Sequence, residues 1–252
     1  MFYRSFLVMA LLVAISGLPT SPAAAQGEII ITQAKANAGG VTPGDGPGFP
    51  VTLSLPGAYV LGSNLNPPAG KNGLVIKSHN VDIDMNGFRL NGGDVANVGV
   101  YSTFGQSRIH DGFIVFFKGH GIFLTGNVNA WTAENMQIIQ NGGFGVYAEE
   151  SVYARYLNNN IVANGGGGIR CGHYCHVEGN TISDNKLIGV EIHSGTVLDN
   201  TIFGNGQQGI YDDYFSADTG FGDNTVVGNN GNGEQVHNVV PLHPNFCSPN
   251  PC

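Results

Sequence analysis

The chain has 252 residues, of which 42% are hydrophobic, 11% are charged and 39 are glycine. That much glycine argues against a helical protein, while the length and apolar content suffice to bury one long core. Eighteen acidic against ten basic residues give a formal net charge of −8, which argues against a nucleic-acid partner, since phosphate binding is driven by Lys and Arg.

Residues 1–25 combine a lone early Arg4, an apolar run from Phe6 to Leu18, and Ala23-Ala24-Ala25 before Gln26. They read as a secretory signal peptide, and the run is too short to span a bilayer. No other stretch is long and apolar enough to serve as a transmembrane anchor, so a soluble protein, secreted or periplasmic, is expected. Residues 26–50 read as an N-terminal cap, with a short strand at Ile29-Ile30-Ile31 and turns at Gly39-Gly40 and Pro43 to Gly48. Such a cap is needed because stacked strands expose unpaired edges at an open end.

Val51, Leu53, Leu55, Tyr59 and Leu61 alternate as strands do around Pro56-Gly57. Val81 to Phe88 alternates again and places Asp82 and Asp84 on one face of a strand, either as a catalytic pair or as solvent-facing polar groups or turn caps. Shorter strands are expected at Val98 to Val100, Ile109 to Val115 and Gly121 to Leu124. His110-Asp111 should diverge as strand neighbours do, and Gly119-His120-Gly121 reads as a turn.

From here a repeat takes over. Asn180-Thr181-Ile182-Ser183-Asp184-Asn185 returns as Asn200-Thr201-Ile202-Phe203-Gly204-Asn205 and as Asn224-Thr225-Val226-Val227-Gly228-Asn229. Asn159 to Asn164 anticipates it, and Met136 to Asn141 is a weaker copy. A glycine and a β-branched residue follow each unit but the last, at Gly145-Val146, Gly168-Ile169, Gly189-Val190 and Gly209-Ile210. A period of about 20–24 residues means stacked units that bury an apolar face only together, and apolar residues recurring every second position make those units strand.

On these residues the stretch from Gly73 to Asn229 resembles the right-handed parallel β-helix repeat proteins of the pectin-lyase-like superfamily. The resemblance implies an all-β fold in which each coil has three strands and the recurrent Asn stacks as a ladder in a turn. The solenoid is expected over 51–230, with Asn180, Asn200 and Asn224 in one column and a strand-poor tail over 231–252. On function the resemblance is nearly silent. Polygalacturonases of that superfamily carry a paired Asp and a later Gly-His-Gly. Here Asp212-Asp213 follows Gly119-His120-Gly121, the reverse order, and their companion motifs are missing, so that mechanism is not carried over.

Four cysteines in an exported chain read first as disulfides. Cys247 and Cys252 are expected to close the tail. Cys171 and Cys175 fall on inward slots and are expected to be bridged or buried, although the spelling Cys171-Gly-His-Tyr-Cys175-His176 also resembles a rare haem-attachment spacing and, with His173, a soft metal site.

Strand alternation names a surface as well as a core. One outward line reads Tyr101, Phe123, Tyr147, Arg170, Glu191, Tyr211, and the next reads Thr103, Thr125, Glu149, Gly172, His193, Asp213. Tyr147, Glu149, Arg170, Glu191, His193 and Tyr211 are the candidate ligand-binding residues: rings stack on sugar faces while charges hold hydroxyls or carboxylates. Arg170, Glu191, His193 and Asp213 are the catalytic candidates for a polysaccharide lyase or a glycoside hydrolase. The opposing reading is a scaffold protein whose outward aromatics stack on one another and whose Arg170 and Glu191 form a solvated ion pair, worth about 0–1 kcal/mol. On the binding reading, because an exposed ion pair contributes so little, Arg170→Ala should leave the melting temperature nearly unchanged while abolishing ligand binding or activity, and a loss of fold stability would favour the scaffold. No cofactor motif is found, and Asp212, Asp213 and Asp218 around the turn from Tyr214 to Gly222 read either as a solvated turn or as a Ca²⁺ site.

Overall fold

The computed structural model describes residues 27–214, 218–250 and 252; the expected signal peptide lies outside the described residues. Short strands of two to eight residues are linked by tight turns, and every strand pairing is parallel, each strand lying on its counterpart one coil away. Nine strands, from Val51–Leu53 to Val236–His237, stack into one sheet. Sixteen others form a second sheet of two strips. The long strands Arg108–Val115 and Thr132–Ile139 fuse the strips, the latter pairing with Arg155–Leu157 through its first half and with Asn160–Val162 through its second. The solenoid anticipated from the repeats is therefore the fold.

Each of the three strips sends one column inward. Tyr156, Val177, Val197 and Phe221 stack in the first, Ile161, Ile182, Ile202 and Val226 in the second, and Ile169, Val190 and Ile210 in the third, all buried. Fully burying such side chains contributes about 1.5–3 kcal/mol each. The packing is tight enough to dictate the recurrent glycine: a Cβ on Gly189 would lie 2.5 Å from the Gly209 carbonyl oxygen of the next coil.

The expected Asn column is present and is one of two. Asn159, Asn180, Asn200, Asn224 and Asn245 form the first, and Asn141, Asn164, Asn185, Asn205 and Asn229 form the second, closed by Gln235. At Asn200 the side-chain oxygen accepts from both the backbone N–H and the amide of Asn180, each at 2.9 Å. Its own amide donates to Asn224 Oδ1 at 3.0 Å and to the carbonyls of Val177 and Leu198 at 3.0 and 2.7 Å. The ladder thus satisfies turn carbonyls and N–H groups that would otherwise be buried without partners.

At the N-terminal end Ile29–Ile31 pairs with Gly57–Leu61. It is followed by a six-residue helix, Gln33–Ala38, that the alternation analysis did not anticipate; Thr32 caps it by accepting from the Lys35 N–H at 3.1 Å, and Ala36 is buried in the core. The tail differs from expectation. Val236–His237, Val240–Pro241 and Phe246–Ser248 each pair with the coil before them, because the preceding strand edge and the Asn224–Asn245 contact set the register despite a proline-rich sequence. Both disulfides, Cys247–Cys252 and Cys171–Cys175, are formed, and no free cysteine remains among the described residues.

Asn200→Leu should lower stability by roughly 3 kcal/mol, because it strips buried partners from Asn180, Val177 and Asn224 together. Leucine at the outward-facing Asn160 should change it by less than about 1 kcal/mol. Urea unfolding of the two variants beside the wild type checks the difference, and equal midpoints would remove the ladder from its structural role.

Candidate functional site

Strand register assembles the outward line as expected: Tyr101, Phe123, Tyr147, Arg170, Glu191 and Tyr211 are successive partners. His237 extends it by one coil and stacks on Tyr211 at 4.9 Å, a residue that sequence reasoning missed because its coil lay in the supposed tail. The second line holds only in part. The register shifts after Ala148, Gly172 is buried, and Glu149, His193 and Asp213 gather beside the first line.

Arg170 is the centre of this gathering. Its guanidinium lies 2.7 Å from Glu149 Oε1, 3.1 Å from Glu191 Oε1 and 3.7 Å from Asp213 Oδ2, and its carbon sits 5.5 Å from the centre of the Tyr147 ring. His193 Nε2 lies 3.2 Å from Asp213 Oδ1. The pair with Glu191 is not solvated, since the side chains of Arg170 and Glu191 are only 23% and 10% exposed. The solvated-pair expectation is corrected on that ground, and the effect of Arg170→Ala on stability changes with it.

The electrostatics differ across the cluster. A hydrogen bond donated by the Tyr147 hydroxyl holds the Glu149 carboxyl below the usual carboxylate range, with Arg170 adding to the effect, and the same bond pushes the Tyr147 phenol up. Burial pushes Glu191 up; Arg170 opposes that shift, and the charges of Asp213 and Glu149 reinforce it.

A family model described as right handed beta helix region matches residues 86–240. The chain belongs to the right-handed β-helix family. No curated protein and no solved structure matches it. Membership supplies the scaffold, and what the protein does has to be read from the side chains that the scaffold carries.

Other sequence candidates are distributed along the β-helix. His120, in the expected turn, packs 5.0 Å from Phe123 and 4.9 Å from Tyr147, and so thickens the aromatic end of the line. Asp212 is not in a solvated turn: it is buried, stacks on Ile192, and accepts from the Tyr214 N–H at 2.9 Å. Asp213 instead faces Arg170, and Asp218 lines a cleft. His110 and Asp111 do not diverge. Asp111 has a φ of 60°, which breaks the alternation and brings Oδ2 to 2.6 Å from His110 Nδ1, while Asp82 Oδ1 approaches Nε2 at 3.4 Å.

The β-helix also has a cleft of about 550 Å³ at the corner beyond His193, lined by His173, Tyr174, His176, Ser194, Thr196 and Tyr214 among others. His173 stands 5.2 Å from His193, and Tyr214 stands 5.9 Å from it, so cleft and line adjoin. Sequence reasoning missed the cleft. The one available signal was the polar cluster around Cys171 and Cys175.

Arg170→Ala should destabilise the fold by roughly 2–4 kcal/mol, since it leaves three carboxylates facing one another in a partly buried site; thermal melts of the variant measure this. The sign of the pH dependence is also set. Glu191 binds its proton more tightly folded than unfolded, so its contribution falls as pH rises above the ordinary value of 4.5. Glu149 binds its proton less tightly when folded, so its contribution is present above 4.5 and is lost as pH falls. Between about pH 4 and pH 7, Glu191→Gln should gain in melting temperature on the wild type and Glu149→Gln should lose.

Proposed function

We propose that this β-helix protein binds a neutral, hydroxyl-rich polysaccharide along the outward line that runs from Phe123 past Arg170 to Tyr211. The observation that carries the reading is the three-to-one excess of carboxylates around a single guanidinium. Tyr147 and His193 engage the second oxygens of Glu149 and Asp213, so sugar hydroxyls donate to the remaining lone pairs of these carboxylates and to Glu191 Oε2, whereas a uronate would bring a fourth negative charge to a cation already shared. Rings flank the cluster on both sides, with Phe123 and Tyr147 below and Tyr211 stacked on His237 above, and rings of this kind pack on the apolar faces of pyranoses. The net charge of −8 works in the same direction.

Cleavage is a second reading, favoured by one observation: burial holds a proton on Glu191 to higher pH than usual, beside Asp213. A protonated carboxylic acid next to a carboxylate is the pair that glycoside hydrolysis needs. A lyase fits less well, because Arg170, the group that would neutralise a uronate, already has three partners. The reading places the protein outside the cytoplasm, secreted or periplasmic. Two disulfides support that place, and among the described residues no helix is long and apolar enough to cross a membrane.

A glycan array that includes neutral and uronate polymers, followed by calorimetry, tests the proposal. Neutral glycans should bind, and Tyr211→Ala should weaken them by about tenfold or more, the worth of a lost stacking contact, without altering the melting temperature. Binding confined to uronate polymers would overturn the charge argument. No binding at all would leave a scaffold role.

A further inference from the structure

The corner cleft contains a constellation that the outward line does not use. His176 and Glu178 are on the strand Cys175–Glu178, two residues apart and hence on one face, and Thr196 pairs with His176 from the adjoining strand Gly195–Leu198. His176 Nε2 lies 2.5 Å from Glu178 Oε2, and His176 Nδ1 lies 2.7 Å from Thr196 Oγ1. An ionised Glu178 only accepts, so Nε2 carries the hydrogen. In the neutral ring Nδ1 is then the acceptor, and the hydrogen between it and Thr196 belongs to the hydroxyl. A hydroxyl is thus aimed at the lone pair of an imidazole whose other nitrogen is held by a carboxylate, the arrangement of nucleophile, base and orienting acid.

Position agrees with role. Thr196 and His176 line the cleft, whereas Glu178 does not, as befits a group that acts on the imidazole from behind. The cleft volume of about 550 Å³ suits a small organic molecule, and Tyr174, Tyr214 and His173 supply its aromatic walls. The bridge between Cys171 and Cys175 leaves neither sulfur free for a haem or a metal, so the neighbouring His176 is available for other chemistry.

We propose that Thr196, His176 and Glu178 hydrolyse small carboxylic esters in this cleft. Thr196 Oγ1 attacks the ester carbonyl carbon while His176 Nδ1 takes the hydroxyl proton. The carbon–oxygen bond to the alcohol breaks, and the alcohol leaves with that proton. Water then attacks the acyl-threonine, giving a proton to Nδ1, and Thr196 Oγ1 recovers it as the carboxylic acid departs. Glu178 keeps the imidazole in the required tautomer and stabilises its protonated form.

The test uses the full chain with 4-nitrophenyl acetate, which carries no sugar, so the outcome is independent of the polysaccharide reading. Wild-type protein should release nitrophenolate above the buffer rate. Thr196→Val and His176→Ala should lower kcat/KM by about a hundredfold or more, Thr196→Ser should retain activity, and Glu178→Gln should be intermediate with a shifted pH profile. An alkyl fluorophosphonate should add to the wild-type chain at Thr196, as read by peptide mass spectrometry, and this arm needs no variant to fold. Absence of both turnover and adduct overturns the proposal. So does a Thr196→Val protein as active as the wild type.

Discussion

The structure depends on one requirement: every coil must present to the next a turn whose buried amides find partners at a fixed height. Backbone groups in a buried turn that lack hydrogen bonds cost about 1–3 kcal/mol each, and the two Asn columns are buried from Asn159 to Asn224 and from Asn141 to Gln235. A side-chain amide meets the requirement because it donates and accepts at once, so an identical residue one coil away is its natural complement. The apolar columns would slide without this; greasy side chains stacked on one another specify burial but not height. The ladders fix the height, and the parallel strands follow.

Once coils are locked in register, surface chemistry becomes a matter of columns. Residues equivalent in successive coils stand about 4.8 Å apart, close enough for every outward charge to feel the one above and the one below. Like charges in adjacent coils are then a liability, and opposite charges fall together without any loop to bring them there. Arg170 sits directly between Tyr147 and Glu191 in this scheme, and it draws in Glu149 and Asp213 from the sides. Four charges share the site with only partial access to water. A scaffold with no ligand to hold would gain little from such an arrangement, since apolar side chains of similar size would stabilise it at least as well.

How much of this was legible in the sequence depends on whether a residue's partner is its own equivalent in another coil. Asn180, Asn200 and Asn224 could be placed because the repeat aligns them with one another. The line from Tyr101 to Tyr211 could be placed because alternation survives along each short strand. Features that depend on a break in alternation could not. The register shift after Ala148 brought the backbone of Glu149 and Ser151 over Gly172 and buried it, and a left-handed backbone at Asp111 folded its carboxylate onto His110. The last coil was hidden for a different reason: its strands lie in a proline-rich segment and take their conformation from the edge they pair with, not from their own pattern. The cleft at the third corner was hidden because it is made by turns of unequal length.

That inequality has its own consequence. The step from Asn180 to Asn200 is 20 residues and the step from Asn200 to Asn224 is 24. The strands that precede and follow the third corner nevertheless stay in register, Ile192 with Asp212 and Gly195 with Thr219. All of the extra chain is therefore taken up between Asp212 and Thr219, at the one corner that has no amide ladder. Along the ladder from Asn159 to Asn224 two corners take no insertion and one does. A lineage built on this solenoid can lengthen, shorten or redecorate that single edge while the rest of the molecule stays as it is, which makes the edge the place where new specificities can arise at the lowest cost to folding.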